Sequence, residues 1–199
     1  MELKLPQAEQ LKRVYERDLR PSFPSAELKP LCNIESMWAD GWYHPWCLFD
    51  GEEIVGEAFL WLGDPGWALL DYLCVAPGHR NRGLGALILK AMRQAEPSGT
   101  VILAESEAPA HAPDPELASR RLGFYARNSA RIAGYDTDMF GVHYKTLYWA
   151  ETDIPDGELI CRHQFIYQNR FSPEKYAKYV RIPRDPGAPP LPQLPWNEA

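Results

Sequence analysis

The chain has 199 residues, 45% hydrophobic and 24% charged, which is typical of a soluble globular protein with room for one domain and a substantial core. Its formal net charge of −6 argues against nucleic-acid binding, because such surfaces carry a basic excess. A negative charge suits cationic partners such as amines, and it also serves solubility. The charged N-terminal stretch lacks the apolar core of a signal peptide, and no later run is long enough to span a bilayer. We therefore expect a cytoplasmic protein.

The cysteines and histidines give no sign of a metal site or of a disulfide framework. The cysteines are widely spaced, without a C-x-x-C pair, and are predicted to be buried small side chains: Cys32, Cys47, Cys74 and Cys161. The five histidines show no metal-ligand spacing. No metal is expected.

The first half of the chain has the pattern of two helices followed by three strands. Helical spacing of apolar residues covers Gln7 to Leu19, and a second helix is predicted from Ser25 to about Met37, with Pro21 to Pro24 as the loop between them. The predicted strands, an antiparallel meander with a hairpin turn at Asp50-Gly51, are Pro45 to Phe49, Glu53 to Leu62 and Trp67 to Val75.

The second half alternates between helix and strand. An amphipathic helix follows Leu84, and Asp114-Pro115-Glu116 is a typical start for another that includes Tyr125. Strands are predicted at Thr100 to Ala104, Arg131 to Phe140 and Val142 to Trp149, then a short strand after Gly157 and a helix around Pro173 to Val180. The ending is proline-rich and is predicted to be extended or disordered. We divide the chain into a main domain, 1–150, a C-terminal strand and helix extension, 151–184, and a tail, 185–199.

The loop between the third strand and the amphipathic helix carries the main chemical signal. Gly83 and Gly85 remove side chains where the backbone turns into the helix, so unpaired N–H groups can converge on an oxyanion. Arg80 and Arg82 add positive charge, and such a loop suits a pyrophosphate. It is not a P-loop, since G-x-x-x-x-G-K-[ST] is absent, nor a dinucleotide loop, since Ile88 stands three residues beyond Gly85.

The stretch LLDYLCVAPGHRNRGLGALILKAM resembles motif A of the GNAT superfamily of N-acetyltransferases. Arg80, Gly83 and Gly85 fill the pattern [QR]-x-x-G-x-[GA]. Downstream, TVILAESEAP and RRLGFYARNSARIAGY resemble the family's fifth strand and its following helix. The resemblance covers roughly Gln7 to Trp149. Two departures stand out: Ala118 replaces a common Asn, and FYARNSAR lacks the glycine and phenylalanine that usually follow the tyrosine.

This resemblance implies a mixed α/β (α+β) fold with a largely antiparallel sheet, a splayed central strand pair and flanking helices. It also implies acetyl-CoA as co-substrate, with the pantetheine arm along Leu73, Cys74 and Val75 and a tetrahedral oxyanion near the Val75 amide. The pyrophosphate would bind the backbone amides of Arg80, Asn81, Arg82, Gly83, Leu84, Gly85 and Ala86. Tyr125 matches the tyrosine that commonly protonates the leaving thiolate; the alternative is a core tyrosine with a satisfied hydroxyl.

The candidates for a general base are the carboxylates Asp71, Glu105 and Glu107. Asp71 lies in an apolar strand, where a carboxylate is costly unless something uses or pairs it, and Glu105 ends the neighbouring strand. Structural hydrogen bonds are the alternative role for both, and Glu107 is alternatively solvated.

The function predicted is transfer of an acetyl group from acetyl-CoA to a primary amine by direct attack. Two alternatives stay open: a protein or peptide acceptor, and a non-catalytic acyl-CoA-binding module. The acceptor wall is predicted among the early aromatic residues Trp38, Trp42, Tyr43 and Trp46. The sequence leaves a homodimer through the later strands open.

Overall fold

A computed structural model describes residues 1–193, which form a mixed α/β fold with a largely antiparallel sheet and flanking helices. The last six residues of the predicted proline-rich tail lie outside the described residues. Contacts divide the described chain into two units, the first of residues 1–62 and 70–98, the second of residues 63–69 and 99–193. No helix of the described residues is long and apolar enough to cross a membrane.

The first unit opens with strand β1 (Glu2–Lys4) and a long helical segment. The segment comprises α1 (Ala8–Val14), a π-helical turn (Tyr15–Leu19) and the short α2 (Arg20–Ser22). It continues through Pro21, where the sequence predicted a loop. Pro21 is tolerated because it lies in the first turn of α2, where a helix needs no N–H donor, and the Phe23 amide still reaches the Leu19 carbonyl at 3.0 Å.

The second predicted helix starts later than the sequence suggested. Residues 25–27 form only a turn, and α3 (Leu31–Ala39) begins after Pro30. A proline in a helix interior removes a hydrogen bond and clashes with the preceding turn, so Pro30 can serve as the N-cap but not as an inner residue.

The strands of the first unit follow in the order β1-β2-β3-β4. They are β2 (Tyr43–Asp50), β3 (Glu53–Leu62) and β4 (Trp67–Val75), whose first three residues belong to the second unit. β2 runs antiparallel to both β1 and β3. The predicted hairpin turn is confirmed, with Gly51 at a φ of 63°.

Helix α4 (Leu84–Ala95) packs closely against β3 and β4 through Gly56. A Cβ atom at Gly56 would lie 2.6 Å from Ile88 Cδ1 and 2.8 Å from the Cys74 carbonyl oxygen. Only a glycine at this position leaves room for the helix and for the end of β4, so Gly56 fixes the distance between them.

The second unit contains four strands in the order β5-β7-β6-β8, with antiparallel pairing throughout. Its elements are β5 (Val101–Glu107), α5 (Pro115–Arg127), β6 (Arg131–Met139), β7 (Val142–Trp149), α6 (Asp156–Gln168), α7 (Pro173–Tyr179) and β8 (Val180–Arg181). Helix α5 begins as predicted, since Asp114 caps it by accepting from the Leu117 amide at 2.9 Å.

Two predictions for this part of the chain are wrong. The segment after Gly157 is not a strand but the 13-residue helix α6, whose buried face mixes Leu159 and Ile166 with His163 and Tyr167. Polar residues at these inner positions hide the apolar stripe that predicts a helix. Cys161 lies exposed on this helix, and Cys32 is exposed as well, because each falls on the outer side of its helix; only Cys47 and Cys74 are buried as expected.

Candidate active site

The predicted phosphate loop ends in a helix start that leaves several amides without partners. Gly83 caps α4 in the left-handed region at a φ of 74°, and Asn81 has a φ of 62°. The N-cap carbonyl of Gly83 accepts a hydrogen bond from the Leu87 amide at 3.3 Å. Within residues 1–193, no loop or cap carbonyl accepts from the amides of residues 81 to 86. These amides, at the positive end of the helix, can receive an anion.

The Arg80 side chain has an internal role. Its guanidinium donates to the Val75 carbonyl and to the Ser22 hydroxyl, each at 3.1 Å. Arg80 therefore ties the loop to the end of β4 and to α2. Arg82 is exposed.

The end of β4 alternates between half-buried and buried residues: Leu73 and Val75 are half-buried, while Cys74 is buried. The Cys74 thiol lies 3.4 Å from the Ser22 hydroxyl, and burial raises the pKa of this thiol to about 11. Since the thiolate is the reactive form, Cys74 is held in its unreactive state at neutral pH.

Asp71 is paired inside the first unit. Its Oδ1 accepts from Lys29 Nζ at 2.6 Å, its Oδ2 accepts from the Tyr43 hydroxyl, and the two charged side chains are 9% and 3% exposed. The Lys29 ammonium also lies 4.5 Å from the centre of the Trp61 ring. The carboxylate that the sequence flagged as costly is thus compensated by a buried cation, which the sequence alone did not identify.

Tyr125 lies half-buried on α5 and packs edge to face on Trp149, with ring centres 5.9 Å apart. Burial raises the pKa of Tyr125 to about 12, against a smaller lowering by the charge of Arg121. The phenol is therefore protonated at neutral pH. Within residues 1–193 no acceptor binds its hydroxyl, so the proton is not committed to a structural hydrogen bond.

Glu105, near the end of β5, is held by two side chains of α6. Its Oε1 is 2.9 Å from His163 Nε2, and its Oε2 accepts from the Tyr167 hydroxyl at 2.9 Å. On the far side of the imidazole, His163 Nδ1 is 3.1 Å from the Tyr135 hydroxyl. His163 is fully buried and the Glu105 side chain is 14% exposed. The sequence reasoning missed all three partners of this chain of hydrogen bonds.

The remaining candidates have local partners. Glu107 accepts from Arg121 at 2.8 Å and is not simply solvated. Two of the early aromatic residues have structural partners: Tyr43 is buried against Asp71, and the Trp46 indole donates to Glu96 at 2.8 Å. We find no support for the predicted acceptor wall in these two residues.

Comparison with known proteins identifies the family. The chain matches the model of the acetyltransferase (GNAT) family over residues 8–124, more than half its length, and it belongs to that family. It is 38% identical over 52 residues to an uncharacterized N-acetyltransferase, YjcF, of Bacillus subtilis (strain 168), a match that spans 26% of this chain and 36% of that protein.

Two solved structures illustrate the likeness in fold. A putative GNAT-family acetyltransferase from Bacteroides thetaiotaomicron superposes with a TM-score of 0.68 at 20% identity, over 82% of this chain and 95% of the other. An aminoglycoside 6′-N-acetyltransferase complexed with coenzyme A gives a TM-score of 0.61 at 14% identity, over 78% of this chain and 99% of the other. The expected fold and family are thereby confirmed, whereas the roles of individual residues stay predictions.

Proposed function

We propose that this protein transfers the acetyl group of acetyl-CoA to a primary amine by direct attack. The observation that carries the proposal is the row of amides at residues 81 to 86, at the start of α4 and without a partner carbonyl, in a chain of the GNAT family. An open space surrounds Gly83, because a Cβ there would meet no atom within 4 Å. The pyrophosphate of acetyl-CoA supplies the acceptors that these amides lack.

The reaction needs one group to take a proton and another to give one. The amine nitrogen must lose a proton before it attacks the thioester carbon, and we assign this proton to the Glu105 carboxylate. Asp71 is the weaker candidate for this step, because Lys29 already neutralises its charge. When the tetrahedral intermediate collapses, the carbon–sulfur bond breaks and the thiolate takes the proton of the Tyr125 hydroxyl. The second proton that the attacking nitrogen loses as it becomes the amide returns the tyrosinate to its phenol, and Glu105 releases its proton to solvent.

The proposed acceptor is a primary amine. Before it reacts, such an amine is a cation, and a protein with a net charge of −6 attracts cations. The aminoglycoside 6′-N-acetyltransferase, which has a similar fold, is named for a small-molecule amine acceptor. We place the acceptor of this chain among small amines, ahead of protein amines.

The test is a thiol-release assay with acetyl-CoA over a panel of small amines and peptides, combined with calorimetric titration of acetyl-CoA. Changing Gly83 and Gly85 together to Val is expected to abolish binding of acetyl-CoA. Gly66→Val is the matched control, because Gly66 also has a left-handed φ, 82°, with no atom within 4 Å of an added Cβ. Both changes strain the backbone, but only the first blocks the proposed amides.

Tyr125→Phe is expected to lower kcat by about 10²-fold or more, as for loss of a general acid, with little effect on binding of acetyl-CoA. Tyr176→Phe on α7 removes a phenol hydroxyl elsewhere and should leave turnover unchanged. If acetyl-CoA binds through the glycine loop but no amine or peptide is acetylated, the transferase proposal is wrong and a non-catalytic acyl-CoA-binding module is the better description.

A further inference from the structure

Helix α6 lies beyond the residues that match the family, yet it provides both contacts of the Glu105 carboxylate. The family match ends at residue 124, whereas α6 spans Asp156–Gln168. His163 and Tyr167 are four residues apart, so they project from one face of this helix. That spacing lets a single rigid element hold both oxygens of Glu105, one by each side chain.

The hydrogen bonds of this cluster follow from its donors and acceptors. A carboxylate only accepts, so His163 Nε2 carries a hydrogen toward Oε1. The other ring nitrogen, Nδ1, shares a hydrogen bond of 3.1 Å with the Tyr135 hydroxyl. Burial, followed by the charge of Glu105, raises the pKa of Tyr135, with a smaller contribution from Asp156, so this hydroxyl stays protonated.

The charge of Glu105 has no permanent cation to balance it. It contacts His163 and Tyr167, and within residues 1–193 no lysine or arginine forms an ion pair with it. Directly across from it on β7 lies Thr146, which is fully buried and polar as well. A largely buried carboxylate without such a cation costs free energy that an apolar residue would not. A costly buried charge is expected where it has a function. One such function is to accept the proton of an ammonium group.

We infer that α6 is part of the catalytic apparatus, with His163 and Tyr167 as positioning residues that hold the Glu105 carboxylate in place to receive the proton of the amine. This inference rests on the proposed function and adds to it the role of the C-terminal extension. The two hydrogen bonds fix the carboxylate in one orientation and leave one lone pair on each oxygen for the incoming proton. A misplacement of a reacting group by about 1 Å can lower a rate by about 10²-fold. Loss of either hydrogen bond to Glu105 should therefore lower kcat.

The test compares the full-length protein with His163→Leu, His163→Gln and Tyr167→Phe, using acetyl-CoA and the best amine of the panel. We expect His163→Leu to lower kcat on the order of 10²-fold while KM for acetyl-CoA changes little. The acid limb of the pH–rate profile should move to higher pH, because a carboxylate that loses a donor takes up a proton more readily. His163→Gln keeps an N–H near Oε1 and should recover about tenfold of the loss, and Tyr167→Phe should lose about tenfold. Cys161→Ser, exposed on the same helix, is the control and should behave as the parent protein.

The outcomes separate this inference from the proposed function. Thermal unfolding shows which variants are folded, and Tyr167→Phe and His163→Gln carry the test if His163→Leu is not. Folded variants with the parent kcat and an unshifted pH profile would overturn the role of α6 and leave the transferase intact. A parent protein that acetylates no amine would overturn the proposed function and, with it, this inference.

Discussion

Glu57 on β3 is a buried carboxyl whose protonation should make the stability of this protein depend on pH. It is fully buried, and neither of its oxygens meets an N–H or O–H donor within residues 1–193. Burial, and next the charge of the buried Asp18, raises the pKa of Glu57 well above its ordinary value of 4.5. Asp18 accepts from the Arg17 side chain at 2.8 Å, whereas no donor of this kind reaches Glu57 within residues 1–193. Glu57 is thus the member of this pair that holds a proton in the folded state.

The sign of the effect follows from the proton count. Below the unfolded pKa, both states carry the proton and Glu57 contributes no pH dependence. Above it, the unfolded chain releases the proton while the folded protein keeps it, so the free energy of unfolding falls as the pH rises toward the folded pKa. One proton gives a slope of at most about 1.4 kcal/mol per pH unit.

Glu57→Gln has nearly the same shape and cannot ionise, so it should remove this slope. The variant is expected to be more stable than the parent at pH 7, and the difference should shrink as the pH falls toward 5. Urea unfolding followed by circular dichroism at pH 5, 6 and 7 measures it. Glu52→Gln, which removes an exposed charge at the neighbouring turn, is the control. If Glu57→Gln keeps the pH dependence of the parent over this range, the account of Glu57 as a protonated buried acid is refuted.

Three further changes test other contacts by urea unfolding or proteolysis. Lys29→Met leaves the buried Asp71 without its cation and should lower the free energy of unfolding by about 3–5 kcal/mol, most of it regained when Asp71→Asn is added. Gly56→Ala places a Cβ 2.8 Å from a β4 carbonyl and should cost about 1–3 kcal/mol, whereas Gly78→Ala, with open space around it, should cost far less; equal costs would contradict the packing described. Asp138→Asn weakens the contacts of Arg181 and Arg184 and should speed cleavage of the chain after β8 by trypsin, with no change if those contacts are incidental.

Much of the fold could be predicted because its signals are local. The Asp50-Gly51 turn, the continuously apolar β4 and the start of α5 at Asp114 all depend on residues within a few positions of one another, and the structure has each of them. The boundaries that were missed depend on tertiary contacts or on unusual local geometry. Helical structure continues from the π-helical turn through Pro21, and α6 buries His163 and Tyr167, whose shared partner Glu105 lies on β5.

The candidate site divides in the same way. The glycine loop before α4 and the family resemblance can be found from consecutive residues, because a helix start exposes its amides wherever the chain allows it. The partners of the acidic residues cannot be found from consecutive residues, because Lys29 is 42 positions from Asp71 and His163 is 58 positions from Glu105. A signal for the second pair existed in the spacing of His163 and Tyr167, but it has meaning only once their helix is known to face β5.

By itself, the sequence determined the fold class, the family and the loop that we propose for acetyl-CoA, because helix starts, turns and strand patterns are set by neighbouring residues. Only the tertiary structure decided that Asp71 is neutralised, that Arg80 braces its own loop and that Glu105 is held by α6. These outcomes depend on which charged groups and hydrogen-bond donors come into contact in the folded chain. A buried charge that lacks a partner costs about several kcal/mol of stability, so the choice of partner matters.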